Sequence, residues 1–463
     1  MSLIARAARR RGRCGGVKTF SRGGIRLPEF KEITADKAIE VLPPPKQVFI
    51  PLSQHTGAPC KPLVKRGDPV RAGQMIGQSD AFISAPVHAS VSGKVNRIAF
   101  HTHPLGPRCE TVVIDNDGRD AWDDSIDLNA RPGVPDPAKG KEYLEAVKAA
   151  GIVGLGGAGF PCHVKLSPLP EKKIDVFLVN GAECEPYLTA DYRVMLEWPR
   201  EVLSGLRATM VILGVKQAII AIEDNKPKAI EAMRRAVENE DPAAAALGEV
   251  GVVTCKTKYP QGGEKQLISA VLGRTVPSGG LPMDVGVVVQ NVGTCAAISD
   301  AVWRRKPLVE RVVTVAGVGV PEPKNLLVRV GTPFQVLLDA CGYSPAPGSK
   351  LIMGGPMMGK AQRDADAPVV KGTSGLVVLT PEEVAHRAER ACVRCGRCVD
   401  ACPMGLMPSQ LGTLSAHDAL DGVKRLGIMD CMECGSCEYV CPSHRNLVQW
   451  IRLGKMKLSK KGS

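Results

Sequence analysis

With 463 residues the chain is too long for a single hydrophobic core, so three or more domains are expected, and 44% hydrophobic with 23% charged residues marks it as globular rather than disordered. The net charge of +13 sits at the ends: residues 1–28 hold eight Arg or Lys and residues 442–463 six more, both without an acid. That leaves the body near neutral and argues against a basic nucleic-acid groove.

Residues 1–45 form a basic N-terminal segment in which Ser2–Ala5 is the only apolar stub before Arg13, so no secretory signal is read. No run approaches the roughly 18 to 20 uncharged apolar residues that cross a bilayer. The expectation is a soluble chain whose membrane association is peripheral. Its basic ends read as solvated tails, or as attracted to anionic headgroups at about 1 kcal/mol per charge. Segment 46–116 reads as short strands broken by Gly and Pro, through Val64–Val70, Gly73–Gly77 and Ser84–Val95. These stretches resemble the barrel-sandwich hybrid of biotinyl and lipoyl carrier domains. Such carriers modify a lysine at a hairpin tip; Ser79–Ala85 has none, which implies a structural or docking module. His88, His101 and His103 lack a cysteine or acid at ligand spacing and read as surface or hydrogen-bonded groups.

A polar, Pro-rich linker spans Asn129 to Gly140. Between 140 and 306 the pattern alternates: helix at 142–147, strand at 175–179, helix at 197–213, strand at 218–222, helix at 226–237, strand at 250–254. Alternation of this kind predicts an α/β layer with a largely parallel sheet. Residues 309–362 read as short strands around one helix near 332–341, and a strand follows the Ser/Gly-rich break at 372–374. Thr380 suits an N-cap, Pro381 the first turn, and Glu383 completes a capping box. That helix leads into a cysteine domain at 380–452, with Ser415–Leu420 helix-compatible between its loops, and a basic tail at 453–463.

Sixteen cysteines in a chain without a signal peptide point to metal or redox chemistry. Cys392, Cys395, Cys398 and Cys402-Pro403 repeat as Cys431, Cys434, Cys437 and Cys441-Pro442, each with the CxxCxxCxxxCP spacing of bacterial ferredoxins. In that run three close thiolates wrap one [4Fe–4S] cluster and the fourth ligates the other. Carried over, one cluster takes Cys392, Cys395, Cys398 and Cys441, the second Cys431, Cys434, Cys437 and Cys402. Zinc sites pair two CxxC units and have no use for the third cysteine and the CP. The other cysteines, at 14, 60, 109, 162, 184, 255, 295 and 341, show no ligand spacing and read as ordinary thiols.

Gly154-Leu155-Gly156-Gly157-Ala158-Gly159 satisfies GxGxxG, but a helix-like segment precedes it and Pro161 follows, so the context is not that of a Rossmann turn. The glycines still let backbone N–H groups approach a phosphate or ring, and Lys165 is placed to pair with that phosphate.

From here the chain resembles a known family. Gly156–Leu166 is similar to the flavin-binding signature of the NADH-oxidising flavoprotein subunit of complex I. Val179-Asn180-Gly181-Ala182-Glu183-Cys184-Glu185-Pro186, Tyr259-Pro260-Gln261-Gly262-Gly263-Glu264 and Gln290-Asn291-Val292-Gly293-Thr294 resemble its next three elements. The resemblance implies FMN. Its phosphate would meet Lys165 and the backbone around Gly156, Gly157 and Gly159 and around Asn291–Thr294. Asn180 and Glu183 would lie near the isoalloxazine, with Gly262 and Glu264 in the same cofactor-binding set. Phe160 and Glu185 would shape a nicotinamide pocket. Cys162 departs from the family's usual threonine, and Gly263 from the acid of the complex I protein. The latter bears on the nucleotide contacts more than on the flavin. No catalytic residue is assigned.

The order of the modules, with Gly23-Gly24-Ile25 ahead of the barrel and Val313–Gly317 through Gly354–Gly359 like a soluble-ligand-binding (SLBB) β-grasp domain, resembles the C subunit of the Rnf ion-translocating electron-transport complex. This implies a multidomain α/β chain: barrel-sandwich hybrid, α/β FMN-binding domain, β-grasp domain and helical dicluster ferredoxin-like domain. Its implied role is that of an oxidoreductase subunit on the cytoplasmic face of the bacterial inner membrane. It would carry electrons between NAD(H), FMN and two [4Fe–4S] clusters, to or from a ferredoxin-like partner subunit, in a complex that moves ions. A flavin is needed between nicotinamide and clusters because hydride carries two electrons and a cluster accepts one. Two other readings stand beside it: a soluble flavin and iron–sulfur reductase of the cobalamin-reductase kind, whose chains start near the Gly-rich loop, and a non-catalytic iron–sulfur adaptor with a degenerate flavin pocket.

Overall fold

The computed structural model describes residues 16–157, 159–344, 346–384 and 388–461. The basic stretch 1–15 with Cys14, Ala158 of the glycine loop and the last two residues lie outside the described residues. The described part of the N-terminal segment crosses the molecule. Lys18 bridges Cys255, Ile25 bridges Tyr259, and β1 (Ile39–Val41) joins a distant sheet.

The barrel module follows with β2 (Gln47–Pro51), β3 (Lys61–Pro62), β4 (Pro69–Val70), β5 (Met75–Gln78), β6 (Val87–His88), β7 (Gly93–His103) and β8 (Gly106–Asn116). They form sheets β2-β8-β7-β4 and β3-β5-β6 around Val48, Ile50, Ile76, Val87, Val112 and Ile114, all essentially without solvent exposure. Alternation places Val48 and Ile50 of β2 on that inner face. His88 is buried, His101 lies 4.4 Å from the Phe49 ring, and His103 Nε2 meets Ser53 O at 3.0 Å.

The next module contains α1 (Gly140–Ala149), α2 (Cys162–Lys165), β9 (Val176–Gly181), α3 (Ala190–Glu197), α4 (Pro199–Leu213), β10 (Gln217–Glu223), α5 (Pro227–Glu238), β11 (Glu249–Cys255), α6 (Glu264–Leu272), β12 (Val287–Asn291) and α7 (Val292–Ser299). All pairings in its sheet β11-β10-β9-β12 are parallel. The helix expected from 197 to 213 is α4, which begins at Pro199, and a separate helix, α3, ends at Glu197, because Pro199 supplies no N–H to the preceding turn and restricts Trp198, which sits at φ −123°, ψ 42°. The chain moves outward from β9 to β10 and β11 and then returns to β12 on the other side of β9. The strand order therefore switches between β9 and β12, where Asn180 stands opposite Asn291. In open α/β sheets ligands bind in the crevice at the strand ends of such a switch point.

A six-stranded sheet, β1-β14-β13-β17-β15-β16, builds the β-grasp module from β13 (Glu310–Ala316), β14 (Lys324–Arg329), β15 (Lys350–Met353), β16 (Lys360–Ala361) and β17 (Gly375–Leu379), with α8 (Phe334–Ala340) packed on it. At Thr380 the capping box forms: Thr380 N donates to Glu383 and Glu383 N to Thr380 Oγ1, opening α9 (Pro381–Val384).

The cysteine module holds α10 (Arg397–Asp400), α11 (Pro408–Ala416), α12 (Leu420–Arg425), α13 (Ser436–Tyr439) and α14 (Leu447–Lys461), around Leu411, Val423, Ile428 and Ile451. It is helical around two loops, but Ser415–Leu420 is not one helix. Asp418, at φ +57°, separates α11 from α12. The basic tail continues α14 as helix. No helix among the described residues is long and apolar enough to cross a membrane.

Candidate redox site

The glycine loop leaves α1 rather than a strand and runs, past a Val153–Pro161 bridge, into the single turn of α2, so it is no Rossmann turn. Gly157 sits at φ +115° with nothing within 4 Å of a would-be Cβ, and Gly156 faces Asn291 at 3.6 Å. Both are exposed. The loop is held from two sides. Leu155 N donates to Thr294 Oγ1 at 3.0 Å, and Thr56 N of the barrel donates to Gly159 O at 3.0 Å. Asn291 caps α7, its Oδ1 accepting from Gly293 N at 2.8 Å and Thr294 N at 3.3 Å. A capped helix N-terminus next to an open glycine loop is a cradle for an anion.

Around that cradle Lys165 Nζ reaches Glu264 at 2.7 Å and Val289 O at 3.0 Å. Asn180 Nδ2 donates to Gly262 O at 2.9 Å, joining the β9 end to the 259–264 segment. Glu183 is buried; its carboxylate accepts from Asp191 N at 2.8 Å and Tyr192 N at 3.3 Å at the start of α3. The fold thus brings the glycine loop, Lys165, Asn180, Glu183, Gly262, Glu264, Asn291 and Thr294 to one end of the sheet. Phe160 is half-buried beside them.

Glu185 faces elsewhere. It accepts from Met357 N at 3.0 Å and Met358 N at 2.8 Å of the β-grasp turn, and burial pushes its carboxyl up to about 7. Two side chains not singled out by motif also border the cleft. Asp191 accepts from Asn291 Nδ2 at 2.6 Å, and burial, then neighbouring Glu183, push its carboxyl up. Arg311, 6% exposed, comes from β13 to within 3.7 Å of a Cβ on Gly293. Neither belongs to a local motif, and only the packing of α3 and β13 against the start of α7 reveals them. A cavity of about 290 Å³ at the carboxyl ends of β9 to β11 is lined by Arg26, Lys31, Glu183, Glu223, Lys258 and Tyr259. It adjoins the cleft without including the glycine loop.

The two cysteine loops repeat each other. Arg394 (φ +56°) and Glu433 (φ +59°) each donate a backbone N–H to the first sulfur of their run, Cys392 or Cys431, at 3.4 Å. Gly396 and Gly435 then turn into α10 and α13 at φ +78° and +79°. Left-handed residues aim successive N–H groups inward, which suits an anionic cluster. Cys402 does join the second run: it lines one cavity with Cys431, Cys434 and Cys437. Burial pushes the Cys431 thiol up to about 11 and raises Cys434 and Cys437, with Cys402 adding to each. Among the described residues no three such side chains close to the spacing of a single ion, and the four thiols instead surround a void. Cys392 and Cys395 of the first run are exposed.

The buried set abuts the cleft. Tyr259 Oη donates to Cys434 O at 2.7 Å, and Gln266 Nε2 reaches Pro403 O at 3.4 Å. A Cβ on Gly263 would come within 2.9 Å of Met432 Cε.

Module by module, this is the architecture of a flavin and iron–sulfur electron-transfer protein. Residues 19–119 match the RnfC barrel sandwich hybrid domain, 147–300 the Nuo51 FMN-binding domain, 312–361 the SLBB domain and 391–444 the 4Fe-4S dicluster domain. The chain is 52% identical to the C subunit of the proton-translocating ferredoxin:NAD(+) oxidoreductase complex of Clostridium ljungdahlii, over 94% of this chain and 93% of the relative. It is 46% identical to the C subunit of the Na(+)-translocating ferredoxin:NAD(+) oxidoreductase complex of Acetobacterium woodii, over 94% and 96%. With the C subunit of the ion-translocating oxidoreductase complex of Rhodobacter capsulatus it shares 41%, over 96% and 85%. The chain belongs to the family of C subunits of Rnf-type ion-translocating oxidoreductase complexes. A match to the barrel module and near-full-length coverage do not favour the cobalamin-reductase or adaptor readings. Among solved structures, an NAD+-reducing [NiFe]-hydrogenase shares the fold at TM-score 0.51 and 20% identity, over 70% of this chain and 64% of that one, so this chain spans less than two thirds of its length.

Proposed function

We propose that this chain transfers electrons between NAD(H) and a ferredoxin-like subunit of a membrane-bound, ion-translocating complex, from a peripheral position on the cytoplasmic face. The observation that carries the reading is the shared 259–266 segment. It bonds Asn180 in the cleft through Gly262 and the cysteine module through Tyr259 and Gln266.

FMN fits the cleft, because its phosphate needs N–H donors and a cation, and the open glycine loop and Lys165 supply them beside the positive end of α7, whose Gly293 and Thr294 N–H groups Asn291 already caps. When bound, a flavin supplies the exchange between two-electron nicotinamide and one-electron clusters. Asn180 and Glu183 would face its ring, while the Glu183 carboxylate, fixed by two N–H groups of α3, keeps that wall rigid. Lys165, paired with Glu264 in its absence, would turn to the phosphate. Phe160 beside the loop would bound the nicotinamide side. Cys402, Cys431, Cys434 and Cys437 would hold the cluster nearer the cleft. Cys392, Cys395, Cys398 and Cys441 would hold the outer one.

The test is anaerobic purification with iron, sulfide and flavin analysis, and NADH added while the visible spectrum is followed. About eight irons, one FMN and prompt bleaching are expected. Lys165→Ala should keep the iron and lose most of the flavin. Iron without flavin or bleaching in the parent chain would overturn the proposal, and full flavin in the variant would remove Lys165 from it.

A further inference from the structure

We propose that the exposed face around Cys392, Cys395 and Cys398 is the docking site for an acidic electron-transfer protein. This deepens the function proposed above and rests on its assignment of the outer cluster.

The two cysteine runs repeat position for position, and their charges do not. Residues 390–402 carry Arg390, Arg394 and Arg397 against Asp400, whereas 429–441 carry Asp430, Glu433 and Glu438 and no base. All three acids of the second run are used inside the molecule. Asp430 accepts from Ser278 Oγ and Gly279 N. Glu433 is held by Arg452 at 2.7 Å and Lys455 at 2.9 Å, and Glu438 accepts from Val448 N at 2.9 Å to cap α14.

The first run is the opposite case. Every residue from 388 to 397 is exposed, and the side chains of Arg390, Arg394 and Arg397 make no hydrogen bond or ion pair with any described residue. The nearby acid Glu389 is already taken by Arg445 and Asn446. Next to Arg394, Val393 is 66% exposed, and two residues past Arg397, Val399 is 38% exposed. A stretch that exposes three cations without partners among the described residues, two valines and two thiols is not needed for folding. Exposed arginines that have no partner among the described residues are complementary to carboxylates on another surface. Arginine at such a rim acts chiefly on the rate of encounter and its salt dependence, since screening sets in beyond about 8–10 Å at physiological ionic strength.

The experiment uses the full holo chain, immobilised anaerobically, with an acidic bacterial two-cluster ferredoxin as probe and basic cytochrome c as its charge opposite. Association rates are read from about 20 to 300 mM salt. Three chains are compared: wild type, the triple variant Arg390→Glu, Arg394→Glu, Arg397→Glu, and a control of equal charge change on the barrel, Lys65→Glu, Arg66→Glu, Lys94→Glu. Iron and flavin are measured in each.

The ferredoxin should associate at least ten-fold more slowly with the triple variant at low salt, the difference closing as salt rises. The control should behave as wild type, and cytochrome c should bind only the triple variant. Equal rates for wild type and triple variant would overturn the proposal. So would an equal loss in the control, a shifted cluster potential with no change in association, or loss of binding to anionic lipid vesicles alone. Because association is read without NADH, failure of bleaching with docking intact overturns the flavin reading, and the reverse overturns the docking site.

Discussion

Cys402 belongs to the first cysteine run by sequence and to the second by position. Buried among Cys431, Cys434 and Cys437, it ties α10 to the opposite loop. Cys402→Ser is therefore expected to lower iron from about eight to about four per chain while leaving the exposed site loaded. Low-temperature magnetic resonance of the reduced protein reads this directly. Loss of both clusters would show instead that the module folds only when both are filled. The eight cysteines proposed as ligands stand out in the sequence, because CxxCxxCxxxCP is a local pattern whose chemistry leaves few alternatives. Glu185 is less legible. Its flavoprotein-like motif points to a nucleotide pocket, yet its carboxylate bonds Met357 and Met358 of another module, and nothing near residue 185 records those partners. Gly263 has a similar history. The departure from an acid stands out in sequence, but what a side chain there would meet, the ends of Gln266 and Met432, needs the assembled modules.

At the scale of elements, periodicity recovered the parallel sheet because its strands are buried apolar runs separated by helices. It found β17 as a strand but not its seat in the sheet, and it did not find β1. β17 lies beyond the Ser/Gly-rich break yet pairs between β13 and β15, and β1 follows a basic stretch that reads as tail. Such pairings are set by long-range packing. Just before the break stands Lys371, which lies between modules: its Nζ donates to Pro86 O of the barrel at 2.6 Å and Gly151 O of the flavin-type module at 2.8 Å. Burial pushes this ammonium down to about 7 from an ordinary value of 10.5. The folded chain thus binds the proton less tightly than the unfolded one. The contribution to stability is full above about 10.5 and is lost as pH falls toward 7. Lys371→Met should flatten the dependence of thermal stability on pH between 7 and 10. At the alkaline end it should cost about 1–3 kcal/mol, because two buried carbonyls lose their donor. Parallel melting curves for variant and parent across that range would refute the assignment.

For the molecule as a whole, the order of modules was readable and their mutual seating was not. The segment from Lys18 to Val41 does much of that seating. It bridges β11 at Cys255, bonds Tyr259 through Ile25, donates from Gly24 N to Ala401 O at 3.0 Å, and ends as an edge strand of the β-grasp sheet. Lys31, buried and with its ammonium pushed down by burial, spans to Glu185 O and Leu188 O. Gly23 sits at φ +63° with a would-be Cβ 2.4 Å from Cys402 O. Gly23→Val meets both obstacles at once and should cost about 2 kcal/mol or more. The expected signature is faster tryptic cleavage after Lys18, Arg22 and Arg26, with the barrel left intact. An unchanged digestion pattern would mean that the segment is held mainly by its other attachments.

Because this segment is anchored on residues as distant as 325 and 401, synthesis and closure run on different clocks. At roughly 5–20 residues per second, Gly23 leaves the ribosome about 20 to 75 seconds before Cys402 is made. Throughout that interval the stretch around Gly23 and Gly24 awaits the partner backbone at Ala401 and Cys402. Barrel and flavin-type modules are free to fold as they emerge, and the strap can pair at Cys255 and Tyr259 once those exist, whereas its seat against Ala401 and Cys402 has to wait for the last module. Iron–sulfur loading at Cys402 then falls in the same late window as strap closure, so a nascent chain starved of clusters is expected to accumulate with its earliest-made segment still open to proteases.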